Sequence, residues 1–243
     1  MGRKWQNIKL DKGKSDAQRG ALFTRLSREI TLSAKSGSTD PESNHRLRIA
    51  IEKAREHNMP SDNVKRAIAR ASGPGEKEIE EIRYEGYGPH GLAVVVDAAT
   101  DNRNRTAGEL RFLFTKHGGS LGETGSVGWM FEPVGVIEVD PQGRSEDQLT
   151  EAALVDGVVD VDHSEELAYV YTEPAQLAAA RDALHGLKIK GVYLGVRAKQ
   201  TVAPEGGDLR AALAFLDALD DHEDVAHVFS NLDVSEAALE ALT

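Results

Sequence analysis

Apolar residues recur at helical spacing in three successive segments of the first third of the chain. Intervals of three and four residues place such side chains on one face of a helix, which predicts three amphipathic helices. The three apolar stripes are Leu22, Leu26 and Ile30; Leu47, Ala50, Ile51 and Ala54; and Val64, Ala67, Ile68 and Ala71. Together these stripes predict the core of a small helical domain.

Capping and breaking residues between the stripes predict where each helix begins and ends. The first helix begins after Ser15, which has the capping-box spacing to Gln18, and it ends at the Ser-Gly-Ser stretch 36–38. The other boundary signals are Asp40-Pro41 and Pro60 for the second helix, and Ser61 or Asp62 and Gly73-Pro74-Gly75 for the third. The turn HNMPSD between these two helices is typical of a helix–turn–helix motif and equally of any small bundle, so both interpretations stay open.

Strand and helix patterns alternate through the remaining two-thirds of the chain. Residues 134–203 show a strand, a helix, two strands around a polar turn, a helix and a closing strand. This βαββαβ order is typical of a ferredoxin-like unit.

The segments on either side of that unit carry most of a second ferredoxin-like order. They predict an edge strand at 83–89, a strand at 91–98, a helix at 105–118, a strand at 126–131, a helix at 208–221, a strand at 225–233 and a final helix at 234–242. The predicted fold class is therefore multidomain α and α+β, with an N-terminal three-helix domain followed by two ferredoxin-like α+β domains, one inserted in the other. The predicted domains are 1–75, 76–133 together with 204–243, and 134–203.

The composition excludes several classes of protein and of site. The 243 residues contain 40% hydrophobic and 28% charged residues, which is typical of a folded globular chain. Because there is no cysteine, disulfide scaffolds, cysteine zinc sites and cysteine nucleophiles are excluded. No apolar run approaches the roughly 20 residues of a membrane-spanning helix, and the N-terminus lacks the apolar core of a signal peptide. We therefore expect a cytoplasmic protein with no membrane partner.

Charge is distributed unequally along the chain. Residues 1–75 contain 16 Lys and Arg against 8 Asp and Glu, a balance of +8, within a total net charge of −11. The other 168 residues contain 13 Lys and Arg against 32 Asp and Glu, a balance of −19. Such asymmetry favours a polyanion as the partner of the basic part, although a solvated basic surface is the alternative.

Catalytic and cofactor motifs are weak or incomplete. The stretch HEDVAH at 222–227 places its two histidines five residues apart, so it does not match the HExxH zinc motif. The glycine-rich stretch 118–128 matches neither a dinucleotide fingerprint nor a phosphate-binding P-loop, and it predicts tight turns. We predict no enzyme activity, no cofactor and no metal.

One polar cluster leaves two interpretations open. Asp97, Asp101, Arg103 and Arg105 lie at close spacing around the end of a predicted strand. They are typical of an ion-pair network at a strand end, and equally of a small-ligand or enzyme site between the two acidic domains.

Long stretches of the chain resemble the YebC/PmpR family over nearly its full length. The opening MGRKW differs from the GHSKW-like start of most members and resembles a YeeN-like branch. The matching stretches are KWQNIK, DAQRGALFTRLSREITLSAKSG, DPESNHRLRIAIEKAREHNMPSDNVKRAI, YEGYGPHGLAVVVDAATDNRNRTAGELRFLFTKHGGSLGETGSVGWMFEPVGVI and VYTEP. The resemblance implies a helical domain followed by two α+β domains, the third inserted in the second. It also implies a regulator that binds DNA in transcription or, as the alternative, a factor that acts on ribosomes in translation, with no cofactor in either case.

These observations predict a non-enzymatic nucleic-acid binder whose partner is DNA, ribosomal RNA or both, with a possible protein partner on the acidic domains. Trp5 is expected to anchor the N-terminal arm or to stack on a base. Reversing the charge of Arg25 and Arg28 is expected to abolish binding and to leave the fold intact. The predicted nucleic-acid-binding residues are Arg3, Lys4, Trp5, Asn7, Lys9, Lys12, Lys14, Arg19, Arg25, Arg28, Arg46, Lys65 and Arg66.

Overall fold

A computed structural model describes residues 3–4, 16–73, 78–164, 166–234 and 238. The predicted final helix at 234–242 falls almost entirely outside these residues. In the described part of the chain, no helix is both long enough and apolar enough to span a membrane.

Three helices follow one another in the basic third, as the apolar stripes predict. They are α1 (Asp16–Lys35), α2 (His45–Glu56) and α3 (Ser61–Arg70). All three stripes meet in one core, in which Leu26, Ile30 and Leu47 are almost fully buried. Across this core, the Thr31 hydroxyl donates to the Ala67 carbonyl at 2.9 Å and ties α1 to α3.

Two of the predicted caps were wrong. The N-cap of α2 is Asn44 instead of Asp40, because the Asn44 Oδ1 accepts from the Leu47 amide at 3.1 Å and thereby satisfies a free amide of the first turn. Pro60 precedes α3, and Ser61 is its first helical residue. Proline fixes its own φ, so the chain turns there without a side-chain cap.

The first four-stranded sheet has the strand order β4-β2-β3-β9. Its elements in chain order are β2 (Glu80–Tyr87), β3 (Ala93–Thr100), α4 (Arg103–Lys116), β4 (Ser120–Leu121), α7 (Gly206–Asp220) and β9 (Val225–Ser230). Two sequence predictions were wrong here. The strand predicted at the edge, β2, lies inside the sheet between β4 and β3. The strand predicted at 126–131 is replaced by the short β4 and a 3₁₀ turn, Gly128–Met130.

Two neighbouring residues of β2, Gly86 and Glu85, explain these two differences. Gly86 pairs with Leu121, and a side chain at Gly86 would meet the Ser120 carbonyl at 2.6 Å, so glycine admits β4 on that side. Buried Glu85 then accepts from the amides of Gly125 and Val127, both at 3.0 Å. Because both amides donate to this carboxylate, they cannot form the backbone hydrogen bonds of a strand.

The second four-stranded sheet has the strand order β6-β7-β5-β8. Its elements are β5 (Phe131–Asp140), α5 (Glu146–Ala152), β6 (Val158–Asp162), β7 (Ala168–Thr172), α6 (Leu177–Ala183) and β8 (Lys188–Ala198). The pairs β5–β7, β5–β8 and β6–β7 are antiparallel. This βαββαβ order confirms the prediction for 134–203. Ser145 and Gln148 form a capping box at the start of α5.

The described chain divides into two compact units. One contains 128–164, 166–209 and 229–234 together with β1 (Arg3–Lys4), which pairs with β10 (Asp233–Val234). The other contains 16–73, 78–127 and 210–228, and so holds α1 to α4 and most of the first sheet. The division into three domains stays a prediction.

Candidate functional site

The predicted nucleic-acid-binding residues fall into three groups in the structure. Five of them, Trp5, Asn7, Lys9, Lys12 and Lys14, lie outside the described residues. Arg3 and Lys4 form β1, where they pair with Val234 and Asp233 in the strand register. The remaining six lie on α1, α2 and α3.

Four of those six side chains are exposed on the helical surface, namely Arg19, Arg46, Lys65 and Arg66. Arg46 lies 3.3 Å from Glu81 and Lys65 lies 3.8 Å from Asp62, in pairs that are about half to four-fifths exposed. Exposed ion pairs contribute about 0–1 kcal/mol each, so a phosphate group can replace the carboxylate at little cost. Arg46 and Lys65 therefore remain chemically available to a polyanion.

Arg25 and Arg28 are bound to acidic residues of the same compact unit. Arg25 Nη1 donates to the Asp220 carbonyl at 2.7 Å, and Arg28 Nη1 donates to the Glu223 carbonyl at 2.6 Å. Both arginines are largely buried, at 23% and 12% exposure. A glutamate at either position would face these acidic groups, so we now expect charge reversal to destabilise the fold.

Asp224 is the centre of the most connected polar cluster in the described part of the chain. Its carboxylate is fully buried, forms an ion pair with Arg28 at 2.6 Å, and accepts from Arg105 at 2.9 Å and from the Thr106 hydroxyl at 2.5 Å. Arg105 and Thr106 lie in the first turn of α4, which Asn102 caps, while Arg28 comes from α1. The cluster therefore ties α1 and α4 to the start of β9. The sequence carries no local signal for this contact, because 196 positions of chain separate Arg28 from Asp224.

The environment of Asp224 lowers the pKa of its carboxyl. Burial alone raises that pKa, but hydrogen bonds from Thr106 and Arg105 and the charges of Arg28 and Arg105 outweigh burial and bring the pKa below its usual value. The ionised form is thus the one that the fold stabilises.

Stability is expected to fall in acid as Asp224 takes up a proton. An unfolded aspartate has a pKa of about 3.9, so the stabilisation from Asp224 is complete above that pH and is lost as pH falls through the lower folded pKa. Urea unfolding at pH 7, 4 and 3 tests this expectation, with Asp224→Asn as the comparison. The variant should show a shallower decline below about pH 4, and an equally steep decline in the variant would contradict the assignment.

One group of side chains has the geometry of a metal site but not its electrostatics. Glu109, His222 and Asp224 place one ligand atom each within 4.8 Å of one another. However, two guanidinium groups already contact Asp224, and His222 lies 3.0 Å from the Glu109 carboxylate. A cation at this point would meet Arg28 and Arg105 at close range, so the arrangement disfavours a metal ion.

The polar stretch around the end of β3 consists mainly of ion pairs. Arg83 binds Asp97 through two hydrogen bonds of 2.6 and 2.8 Å, and Arg105 lies 3.2 Å from Asp101 in addition to its contact with Asp224. Arg103 offers its backbone carbonyl to the Tyr84 hydroxyl at 3.3 Å. These contacts support the ion-pair interpretation, and they account for the polar density that motivated the ligand-site alternative.

The glycine-rich stretch 118–128 forms tight turns, as predicted. Gly118 and Gly125 have φ values of 80° and 90°, which favour glycine. Because Glu85 receives the amides of Gly125 and Val127, those two donors do not form a cradle for phosphate.

Comparisons with known proteins agree over the whole chain. Residues 3–74 match the family model described as the TACO1/YebC protein N-terminal domain, and residues 79–232 match the model described as the TACO1/YebC second and third domain. A probable transcriptional regulatory protein of Rubrobacter xylanophilus is 44% identical over 240 residues, which is 97% of this chain and 96% of that protein. A protein of the same description from Herpetosiphon aurantiacus is 46% identical over 241 residues, 98% of this chain and 96% of that protein.

A solved structure shows the same similarity. The crystal structure of a conserved hypothetical protein from Aquifex aeolicus superposes with a TM-score of 0.84 at 42% sequence identity. The match covers 96% of this chain and 97% of that chain.

Proposed function

Because the chain belongs to the TACO1/YebC family, the one that the sequence resembles, we propose that it is a non-enzymatic regulator of transcription that binds DNA through the basic surface of α1, α2 and α3. Its relatives from Rubrobacter xylanophilus and Herpetosiphon aurantiacus carry the description of probable transcriptional regulatory proteins. The observation that carries the proposal is the set of exposed cations on these helices, Arg19, Arg46, Lys65 and Arg66. Phosphate neutralisation by such residues dominates the affinity of proteins for nucleic acid.

The acidic remainder of the chain favours one orientation of the protein on a nucleic acid, with the basic helices toward the phosphates. Residues 76–243 carry a balance of −19 and repel a polyanion, while residues 1–75 carry +8 and attract one. Phosphate contacts of this kind position a protein and carry little sequence information. The acidic part is also the surface that we propose for a protein partner.

Three further predictions belong to this proposal. We expect three domains, each folded around its own core: 1–75, 76–133 together with 204–243, and 134–203. The predicted residues of the arm, and Arg25 and Arg28, are proposed as further phosphate contacts, and the two arginines would first have to leave their acidic partners. The cytoplasm is the expected location.

Ribosomal RNA is the alternative partner, because it presents the same phosphates. The proposal is therefore tested by two measurements on the full chain across a salt series: binding to a fluorescent DNA duplex, and cosedimentation with ribosomes. Log affinity for the duplex is expected to fall with log salt by about 0.9 for each phosphate contacted. Affinity that does not change with salt would refute nucleic-acid binding, and steep binding to ribosomes without duplex binding would select the translation alternative.

Matched variants identify the surface. Changing Arg19, Arg46 and Lys65 to Gln removes three exposed cations of the helical segment and should reduce the salt slope by about 0.9 for each phosphate that is no longer neutralised. The control changes Arg111, Lys116 and Arg210 to Gln, which alters the net charge equally at exposed positions of the acidic part. If the control weakens binding as much as the first variant, the helical surface is not the interface.

A further inference from the structure

A groove of about 550 Å³ lies between α1 and α3, and Gly73, Glu78 and Ile79 also line it. Thr31 and Ala67 both line it, and the Thr31 hydroxyl donates to the Ala67 carbonyl. Side chains of both helices form its walls, and Glu78, Ile79 and Asp101 line it from beyond α3. The groove therefore lies within the basic helical surface, and the exposed cations Lys35, Arg66 and Arg70 line it.

Cations outnumber carboxylates around the groove. Its four cationic side chains are Arg28, Lys35, Arg66 and Arg70, against the carboxylates of Glu78 and Asp101. Asp101 is bound by Arg105 and Arg28 is bound by Asp224, so the charge of the groove is set by Lys35, Arg66 and Arg70 against Glu78. The groove thus presents a net positive field to a ligand.

Arg66 and Lys35 are the cations best placed to accept a phosphate group. The contacts of Arg66 are neutral, since its guanidinium donates to the Asn63 side-chain oxygen at 2.5 Å and to the Asp62 carbonyl at 3.2 Å. Lys35 lies 2.5 Å from Glu78, but both side chains are well exposed, at 45% and 74%, so the pair contributes little and a phosphate can displace it. Arg70 follows Arg66 by one helical turn on the same face of α3.

The other walls match the base and sugar of a nucleotide. Phe23, Leu32 and Ile79 supply apolar surface, while Ser27 and Asn63 supply polar atoms. A volume of about 550 Å³ falls within the roughly 300–1,000 Å³ that is typical of sites for one small organic group. It therefore admits a single nucleotide and does not admit a double helix.

We propose that this groove receives one unpaired nucleotide of a nucleic-acid strand, with its phosphate at Lys35, Arg66 and Arg70 and its base against the apolar wall. This inference rests on the proposed function, and it specifies the kind of nucleic acid that this part of the surface recognises. Unpaired bases are read by stacking and by hydrogen bonds to their edges, which a recessed mixed surface provides.

The test compares a 12-nucleotide single strand with a 12-base-pair duplex of the same sequence, both labelled for fluorescence anisotropy. Changing Arg66 and Arg70 to Gln is expected to weaken single-strand binding about tenfold more than duplex binding. The matched control changes Arg19 and Arg46 to Gln, which removes two exposed cations outside the groove and should weaken both ligands to a similar extent. A second variant, Ser27→Phe, fills the groove without changing charge and should reproduce the selective loss, with thermal unfolding as the check on its fold.

The outcomes separate this inference from the function on which it rests. If the wild-type chain binds both ligands and the Arg66/Arg70 variant weakens them equally, the groove assignment is overturned and nucleic-acid binding stands. If the wild-type chain binds neither ligand, the proposed function fails and the groove assignment fails with it. Full competition by AMP alone, at an affinity comparable to that of the strand, would overturn the assignment to a nucleic-acid strand.

Discussion

Replacing Asp224 with alanine is expected to lower the free energy of unfolding by about 3–5 kcal/mol. The fully buried carboxylate forms an ion pair with Arg28 and accepts from Arg105 and Thr106, so its removal takes away the buried anion that both guanidinium groups share. The carboxylates that remain beside them, such as Glu223 and Asp101, are more exposed. Arg28 is only 12% exposed, and water therefore replaces the missing carboxylate poorly. The loss exceeds that of an ordinary ion pair because the uncompensated charges, rather than the missing attraction, dominate the cost.

Chemical denaturation followed by circular dichroism measures this loss. The control is Asp97→Ala, which breaks the more exposed pair with Arg83, at 42% and 23% exposure, and should cost less than about 1 kcal/mol. Comparable effects of the two substitutions would show that Asp224 contributes no more than a surface pair, and would remove it as the anchor between α1 and α4.

Alanine at Gly119 is expected to destabilise the first sheet by about 3 kcal/mol or more. A methyl group there would lie 2.3 Å from the Tyr87 carbonyl oxygen and 2.8 Å from the Gly88 Cα, both backbone atoms of the neighbouring strand and turn. Backbone cannot move aside as a flexible side chain can, so the contact between β2 and the turn before β4 has to open.

Gly108→Ala is the matched control and should have the opposite sign. Gly108 lies within α4, and nothing stands within 4 Å of the methyl group that alanine would add. Alanine favours a helix interior over glycine by about 1 kcal/mol, so this variant is expected to gain stability. A Gly119 variant as stable as the Gly108 variant would mean that the close approach of the two backbones is not maintained in solution.

The sequence predicted most reliably the features that depend on residues close to one another along the chain. The stripe of Leu22, Leu26 and Ile30 identified α1 because its spacing reports one buried helix face. The βαββαβ order of the second sheet was equally accessible, since each of its elements has its own pattern. The basic surface could be predicted in part, because the excess of Lys and Arg in the first third of the chain can be counted from the sequence.

What the sequence did not predict depends on contacts between distant residues. β2 lies inside the sheet because Gly86 leaves room for Leu121 of β4 to pair with it. No pattern of neighbouring residues in the sequence indicates this pairing. The start of α2 at Asn44 was missed because two plausible caps lie within four residues of each other. The partners of Arg28 lie about two hundred positions further along the chain, so a phosphate contact and an internal ion pair looked the same in the sequence.

The long separation of these partners also sets the order of events during synthesis. Arg25 and Arg28 bind acidic residues that lie 195 positions further along the chain. At about 5–20 residues per second, the ribosome needs roughly 10–40 s to make that intervening chain. Throughout this interval α1 has none of its acidic partners Asp220, Glu223 and Asp224. While it is still attached to the ribosome, the newly made helical segment therefore carries its positive charges without these acidic partners. The partners reach it only when the last part of the chain emerges.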